Sequence, residues 1–263
     1  MPAQQDEQPA WSEADLADPH AAADKAARVE RMFAAIASSY DLNNRLHSLG
    51  RDQAWRRAAV RMASLAGGET VLDVACGTGD LAMAFVDGGA GRVLGSDFTV
   101  NMLRVARTKR RAVDAPLSYH AGDAMRLPLP DASVDVVSIA FGIRNVADPD
   151  AALREFHRVL RPGGRLIVLE FSLPRSRLLR AGYNFYFRHV MPRTAALIAR
   201  DRSGAYRYLP QSVNTFLSRA ELMRRMGETG FADVRARSLT LGIAICYRGV
   251  KPGEEGGGLS SPR

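Results

Sequence analysis

The chain has 263 residues, of which 46% are hydrophobic, enough to build one α/β domain with appended segments. No apolar run reaches the length of a membrane span and no secretory signal pattern is present, so we expect a cytoplasmic protein. The two cysteines, Cys76 and Cys246, are too few for a disulfide framework or a metal site. The net charge of +8 comes almost entirely from arginine.

The N-terminal region divides into a tail and a helical part. Residues 1–19 are rich in Gln, Ala, Asp, Glu and Pro without periodicity, which predicts a disordered tail. Two helical patterns follow, over 22–38 and 52–65. They belong to the segment 20–66, which we expect to form a helical lid.

The most informative stretch is an apolar strand that runs into a glycine-rich turn at residues 71–80. Asp73 lies near the end of this strand, and a helix is expected to begin near Thr78 or Asp80. Gly77 and Gly79 allow the backbone to pass close to a ligand where a Cβ would collide. The pattern is typical of nucleoside-binding α/β proteins.

Acids also follow the next two strands. Asp97 closes the strand 92–97, at the spacing from the glycine turn at which a carboxylate accepts hydrogen bonds from a ribose. Asp123 follows the strand 116–121 and could meet the amine of an adenine. An acid after each of three strands resembles the class I S-adenosylmethionine-dependent methyltransferases, in which Asp73 would lie by the methionine amine.

Two alternatives to this interpretation stay open. Each acid alone is as readily a helix or turn cap, because Asp is common at both positions. Gly77, Gly79 and Ala82 also satisfy the looser dinucleotide fingerprint, so a nicotinamide oxidoreductase must be considered. The acid before the glycine turn argues against that enzyme, because it would repel a pyrophosphate.

The central region alternates between strand and helix patterns, which predicts a parallel sheet with right-handed crossovers. Its further predicted elements are helices 79–87, 99–111 and 149–160 and strands 70–75, 134–140 and 164–171.

The C-terminal part predicts one helix and a hairpin. A Ser-x-x-Glu box opens a helix at 218–228. Two strands, 231–239 and 242–249, are joined tightly around Gly242. The tail 251–263 is rich in Gly and Ser and is predicted to be disordered.

The segment 174–215 interrupts the sheet pattern and predicts a basic, aromatic helical cover. Its arginines, from Arg175 to Arg207, are interleaved with aromatic and aliphatic residues, and the stretch from Tyr183 to Ile198 is the candidate docking surface. This composition suits an anionic membrane surface, and it would also suit RNA or an ordinary solvated helix face.

Three motifs in order carry a family resemblance. They are Tyr40-Asp41-Leu42-Asn43-Asn44, Phe141-Gly142-Ile143-Arg144-Asn145-Val146, and Arg158-Val159-Leu160-Arg161-Pro162-Gly163-Gly164. With the glycine turn and the stretch 206–212, they make residues 31–250 resemble the ubiquinone/menaquinone biosynthesis C-methyltransferases. The resemblance implies a class I methyltransferase fold: a Rossmann-like, mostly parallel seven-stranded sheet with a C-terminal antiparallel hairpin, N-terminal helices and a helical cover insertion.

The resemblance also implies the site residues and the cofactor, S-adenosyl-L-methionine. The implied cofactor contacts are Thr78, Asp97, Asp123 and Ala124, joined by Asp73, Gly77 and Gly79 from the strand and glycine pattern. The implied catalytic residues are Arg144, Asn145, Asp41 and Tyr40. Ala140 is excluded, because family members often carry a serine at this position and alanine has no hydroxyl. A structural ion pair with Glu170 or Asp41 is the alternative role for Arg144.

The implied reaction is C-methylation of a polyprenyl quinol ring, with demethylmenaquinol favoured over a methoxy-polyprenyl-benzoquinol. A same-fold enzyme acting on another small aromatic, a lipid or an RNA is the alternative, although no RNA-binding module is evident. We expect contact with the inner face of the membrane and no nucleic-acid partner, while homo-oligomerisation stays open.

Overall fold

The computed structural model describes residues 10–12, 15–109, 116–174, 176–186, 191, 194 and 204–253. Three helices precede the sheet: α1 (Lys25–Ile36), α2 (Tyr40–His47) and α3 (Arg51–Ala63). The sheet elements then alternate in chain order: β1 (Thr70–Val74), α4 (Asp80–Asp87), β2 (Arg92–Asp97), α5 (Val100–Thr108), β3 (Leu117–Ala121), β4 (Val134–Ala140), α6 (Pro149–Val159) and β5 (Leu160–Phe171). The remaining elements are α7 (Arg177–Phe185), α8 (Ala205–Thr215), α9 (Arg219–Glu228), β6 (Ala232–Leu239) and β7 (Ala244–Val250).

The seven strands form one sheet in the order β3-β2-β1-β4-β5-β7-β6. The first five strands are parallel, and β7 pairs antiparallel with both β5 and β6. A short 3-10 turn at Thr240–Gly242 joins β6 to β7, which confirms the predicted hairpin. The predicted fold class is therefore confirmed.

Helices cover both faces of this sheet. One buried cluster contains Trp55 of α3, Phe85 of α4 and Leu103 of α5. The cluster on the opposite face contains Phe156 of α6 and Met226 of α9. The parallel strands are therefore apolar on both faces, which is why they appear in the sequence as continuous apolar runs.

The N-terminal tail is the clearest departure from the sequence prediction. Residues 1–9, 13 and 14 lie outside the described residues, but Trp11 is only 1% exposed and Leu16 only 8%. Trp11 stacks on Tyr208 of α8 at 4.6 Å between ring centroids. The prediction of disorder is thus wrong for this stretch, because one large aromatic finds a partner almost 200 residues away that composition cannot reveal.

Smaller differences concern element ends. α2 is a separate helix that the two predicted N-terminal helices did not include. β5 begins at Leu160, so the Arg-Pro-Gly-Gly motif lies inside the strand rather than before it. Lys251, predicted to open a disordered tail, donates hydrogen bonds from Nζ to the carbonyls of His157 and Leu160 at 2.8 Å each. Residues 254–263 lie outside the described part of the chain.

The predicted cover is helical where the structure describes it, as α7 and α8. Most of residues 187–203, including much of the stretch between Tyr183 and Ile198, lies outside the described residues. Tyr183 itself is buried, at 9% exposed. In the described part of the chain, no helix is long and apolar enough to cross a membrane.

Candidate active site

The site lies where the strand order reverses, between β1 and β4. The chain leaves these neighbouring strands toward opposite edges of the sheet, which opens a crevice at their carboxyl ends. The residue after each strand has a positive φ, 49° at Ala75 and 56° at Phe141. Such angles are unfavourable for residues with a Cβ, so the surrounding structure must hold these two turns in place.

A first cavity, here called the cofactor cleft, opens at the ends of β1 and β2. Four predicted cofactor residues line it: Gly77, Asp97, Asp123 and Ala124. Asp97 accepts hydrogen bonds from the backbone N–H groups of Gly77 and Thr99, each at 2.7 Å. Burial raises the pKa of the Asp97 carboxyl above its usual range. The carboxylate therefore fixes the glycine turn while facing the cleft.

The other three predicted cofactor residues do not line the cleft. Asp73 is 1% exposed and accepts a hydrogen bond from the Ser138 hydroxyl at 2.7 Å. Burial raises the pKa of Asp73 to about 7. Its second oxygen, Oδ2, is buried and accepts no hydrogen bond of ordinary geometry from the described residues. Gly79 leaves room for the ring of Tyr119 rather than for a ligand.

Thr78 and Asp41 meet each other instead of a cavity. The Thr78 hydroxyl donates to Asp41 Oδ1 at 2.5 Å. Lys109 Nζ contacts Asp41 Oδ2 at 2.7 Å and Asp80 Oδ1 at 2.5 Å. Asp41, one of the implied catalytic residues, lines neither cavity.

A second and larger cavity, here called the acceptor cavity, lies beside the cofactor cleft. Its volume is about 560 Å³, and its lining is mostly apolar. α1, α2, α3, α7 and α8 all contribute residues to it. Phe33, Tyr40 and Phe141 line both cavities and thus form the wall between them. Phe141 packs against Phe171 with 4.4 Å between ring centroids.

Arg144 is the cation among the four predicted catalytic residues. It is only 4% exposed and lines the acceptor cavity. Its Nη1 contacts Glu170 Oε1 at 2.7 Å and the Phe141 carbonyl at 2.6 Å. Burial raises the pKa of Glu170, and the positive charge of Arg144 opposes that rise. Arg144 therefore forms the ion pair with Glu170 that was given as its alternative role. It also lines the acceptor cavity.

Asn145 lines the cofactor cleft rather than the acceptor cavity. Its Nδ2 donates to the Phe141 carbonyl at 3.2 Å, and its Oδ1 accepts from the Tyr208 hydroxyl at 2.9 Å. Both ends of the amide are therefore engaged, and the side chain buttresses the wall residue Phe141.

Sequence reasoning missed three polar side chains near the site. Lys25 is 3% exposed and donates to the carbonyl of Val146, a residue of the cofactor cleft, at 2.6 Å. Tyr208 holds Asn145, and Lys109 holds Asp41. The scarcity of lysine was a usable signal, since Lys25 and Lys109 are two of only three lysines in the chain.

Comparison with known proteins gives one family. The model of the ubiE/COQ5 methyltransferase family matches residues 21–251. A demethylmenaquinone methyltransferase of Deinococcus radiodurans is 48% identical over 229 residues, covering 87% of this chain and 94% of that protein. A ubiquinone/menaquinone biosynthesis C-methyltransferase of Syntrophotalea carbinolica is 46% identical over 226 residues, covering 85% of this chain and 94% of that protein.

Solved structures show the same fold at low sequence identity. A putative methyltransferase in complex with the Haloferax volcanii Trm112 methyltransferase activator has a TM-score of 0.60 and 22% identity, covering 84% of this chain and 97% of its own. An S-adenosylmethionine-dependent methyltransferase of Thermotoga maritima has a TM-score of 0.58 and 21% identity, covering 85% and 99%.

The sheet order and the cleft at its switch point define the class I methyltransferase fold. The chain belongs to the ubiE/COQ5 methyltransferase family. This confirms the resemblance found in the sequence, the enzyme class and the cofactor, S-adenosyl-L-methionine.

Proposed function

We propose that this enzyme methylates a ring carbon of a polyprenyl quinol, with demethylmenaquinol as the preferred acceptor. The observation that carries the proposal is the large apolar cavity beside the cofactor cleft, which shares the side chains of Phe33, Tyr40 and Phe141 with that cleft. A flat ring with an isoprenoid chain needs such an apolar enclosure. The names of the relatives from Deinococcus radiodurans and Syntrophotalea carbinolica support the same acceptor class.

The residues of the cleft fit S-adenosyl-L-methionine. The Asp97 and Asp123 carboxylates suit the ribose hydroxyls and the adenine amine, and Ala124 gives the adenine an apolar contact. Gly77 has φ +56°, and a Cβ built there would meet only Tyr40, at 3.9 Å, so the backbone is open toward the cleft. The buried Oδ2 of Asp73 supplies an acceptor suited to an ammonium group that reaches the loop.

The protein's share of the chemistry is alignment, charge and exclusion of water. When bound, the cofactor supplies an electrophilic methyl group on a sulfonium. Tyr40 and Phe141 would set the acceptor ring against the boundary of the cleft, so that the ring carbon and the methyl group meet in line. The Arg144 guanidinium at the acceptor cavity would stabilise a quinol oxygen as it loses its proton. The ring carbon gains the methyl group and loses its C–H proton while the quinol oxygen regains a proton, which restores the aromatic quinol with a net release of one proton.

Methyl transfer from labelled S-adenosyl-L-methionine tests the acceptor. The purified enzyme is incubated with demethylmenaquinol or with 2-methoxy-6-polyprenyl-1,4-benzoquinol, each with and without reductant. We expect transfer to reduced demethylmenaquinol and loss of transfer to the oxidised quinone, because only the quinol ring is electron-rich. Cofactor binding without transfer to either quinol would contradict the proposal.

We further propose that the mouth of the acceptor cavity rests on an anionic membrane surface. Three strongly exposed leucines line that cavity: Leu49 at 87%, Leu178 at 82% and Leu241 at 73%. They come from three separate parts of the chain, so their convergence is a property of the fold. Arg51 and Arg177 are exposed close to them in sequence and would meet lipid phosphates.

Co-sedimentation with vesicles tests this surface. We expect binding to phosphatidylglycerol vesicles and little binding to phosphatidylcholine vesicles. The double variant Leu178→Ser/Leu241→Ser should lose binding, whereas Met223→Ser on the opposite sheet face should keep it. Equal absence of binding to both vesicle types would remove the proposal and leave the acceptor assignment untouched.

A further inference from the structure

Lys109 joins three elements of the site that are distant in sequence. It lies directly after α5, and its ammonium group contacts Asp41 of α2 at 2.7 Å and Asp80 of α4 at 2.5 Å. A third contact, at 3.2 Å, is to the hydroxyl of Thr78 in the glycine turn. An ammonium group has three donors, so this set of three oxygen partners satisfies it fully.

The charge arrangement makes Lys109 the centre of this cluster. Asp41 and Asp80 are both acidic, and Lys109 lies between them with a side chain only 20% exposed. Arg45 also approaches Asp80, but at 3.8 Å and with a side chain 55% exposed. Removing the lysine charge would leave two carboxylates facing one partly buried gap, where repulsion is stronger than in open water.

The helix that Lys109 holds has few apolar anchors, and its other polar contacts include Thr78 with Asp41 and His47 with Tyr186. Of the eight residues of α2, only Asn43 is fully buried. Leu42 and Leu46 of the same helix are 60% and 46% exposed, so they contribute little apolar burial. A helix of this length is not stable by itself, and its position therefore depends strongly on polar contacts with its neighbours.

The position of α2 matters because Tyr40 is its first residue. Tyr40 lines both cavities, and its Cε1 would lie 3.9 Å from a Cβ placed on Gly77. We propose that Lys109 is a positioning residue for methyl transfer: by tying Asp41 to the glycine turn, it holds Tyr40 as the wall between cofactor and acceptor. This inference rests on the proposed function for the acceptor and extends it to a residue that lines neither cavity.

The test compares Lys109→Met with the charge-balanced variant Lys109→Met/Asp41→Asn. Lys109→Met should raise the cofactor Kd and lower kcat by about tenfold each, corresponding to 1.4 kcal/mol apiece. The urea midpoint should change little, because Asp80 keeps the hydrogen bond from Gln53 at 2.9 Å and Asp41 keeps the one from Thr78 at 2.5 Å. The double variant should regain cofactor affinity, since the repulsion is gone, while kcat stays low because the ammonium bridge from α2 to the glycine turn and α4 is still missing. Arg104→Met, on the exposed face of α5, is the matched control.

Two results would overturn the inference. One is a Kd and a kcat of Lys109→Met within twofold of the parent values. The other is a loss of activity that merely follows a similar drop in the urea midpoint. Cofactor binding is measured by calorimetry without any quinol. If the proposed acceptor were wrong, the parent enzyme would therefore bind the cofactor normally but transfer no methyl group to the quinol.

Discussion

The cofactor cleft and the acceptor cavity meet at Tyr40 and Phe141, yet they are built from different kinds of structure. Most of the cleft lies at the carboxyl ends of parallel strands, where backbone geometry places Asp97 and Asp123. The acceptor cavity is formed mainly by helices that precede β1 or are inserted between β5 and β6. The cleft thus follows from a general property of the fold, whereas the cavity is a property of this family's additions. Substitutions that separate the two regions test this division.

The largest effect is expected at Arg144, the buried charge of the acceptor cavity. Arg144 and Glu170 are 4% and 2% exposed, so Arg144→Met leaves a carboxylate buried without its partner. We expect a loss of about 3–5 kcal/mol in the free energy of unfolding, measured by urea denaturation. The double variant Arg144→Met/Glu170→Met should recover most of it.

The control for this prediction is an ion pair of the same type at the surface. Arg224→Met breaks the contact of Arg224 with Glu221, whose side chains are 54% and 31% exposed, and should change stability little. If the double variant at Arg144 and Glu170 were no more stable than the single one, an uncompensated carboxylate would not be the cause of the loss.

The cofactor cleft is tested by Asp97→Asn. The carboxylate accepts from two backbone N–H groups, and an amide can accept only one of those bonds. Cofactor affinity should fall about 10- to 100-fold, measured by calorimetry, because hydrogen bonds to a charged group are worth about 1.5–3 kcal/mol. The KM for the quinol at saturating cofactor should stay within twofold. An equal change in the cofactor Kd and the quinol KM would mean that the two regions are not separable. Asp87→Asn, at the exposed end of α4, is the control.

These residues also show how much of the site could be predicted from sequence. Asp97, Asp123 and Gly77 were predictable because the end of a strand is a local signal, and parallel strand ends share one edge of the sheet. Thr78 and Asp41 were placed differently by the structure because their partner, Lys109, is 31 and 68 residues away. Trp11 was missed for the same reason, since its stacking partner lies on α8. Local pattern specifies the sheet, whereas long-range polar contacts specify how the appended helices close on it.

Lys25, buried beside the cofactor cleft, is expected to make the stability of the protein depend on pH. Burial lowers its pKa to about 8 from the ordinary value of 10.5. Between these values the unfolded chain binds more protons, so the contribution of Lys25 to stability rises with pH above 8 and is constant below it. Relative to Lys25→Met, the parent protein should gain up to about 1.4 kcal/mol per pH unit across this window. Urea denaturation of both proteins at pH 7, 8.5 and 9.5 measures it, and parallel pH curves would contradict it.

The smallest effect is expected where one side chain serves both regions. The ring of Tyr208 lines the acceptor cavity, while its hydroxyl donates to Asn145 of the cofactor cleft at 2.9 Å. Tyr208→Phe keeps the ring and its stacking on Trp11 but removes the hydroxyl and its hydrogen bond to Asn145, worth about 0.5–1.5 kcal/mol. We therefore expect a cofactor Kd raised two- to tenfold with an unchanged KM for the quinol. Tyr247→Phe, a buried tyrosine of β7 that lines neither cavity, should leave both constants unchanged. A Tyr208→Phe variant with an altered quinol KM and a normal cofactor Kd would show that the hydroxyl acts on the acceptor cavity. The hydrogen bond to Asn145 would then have no measurable part in holding the cofactor.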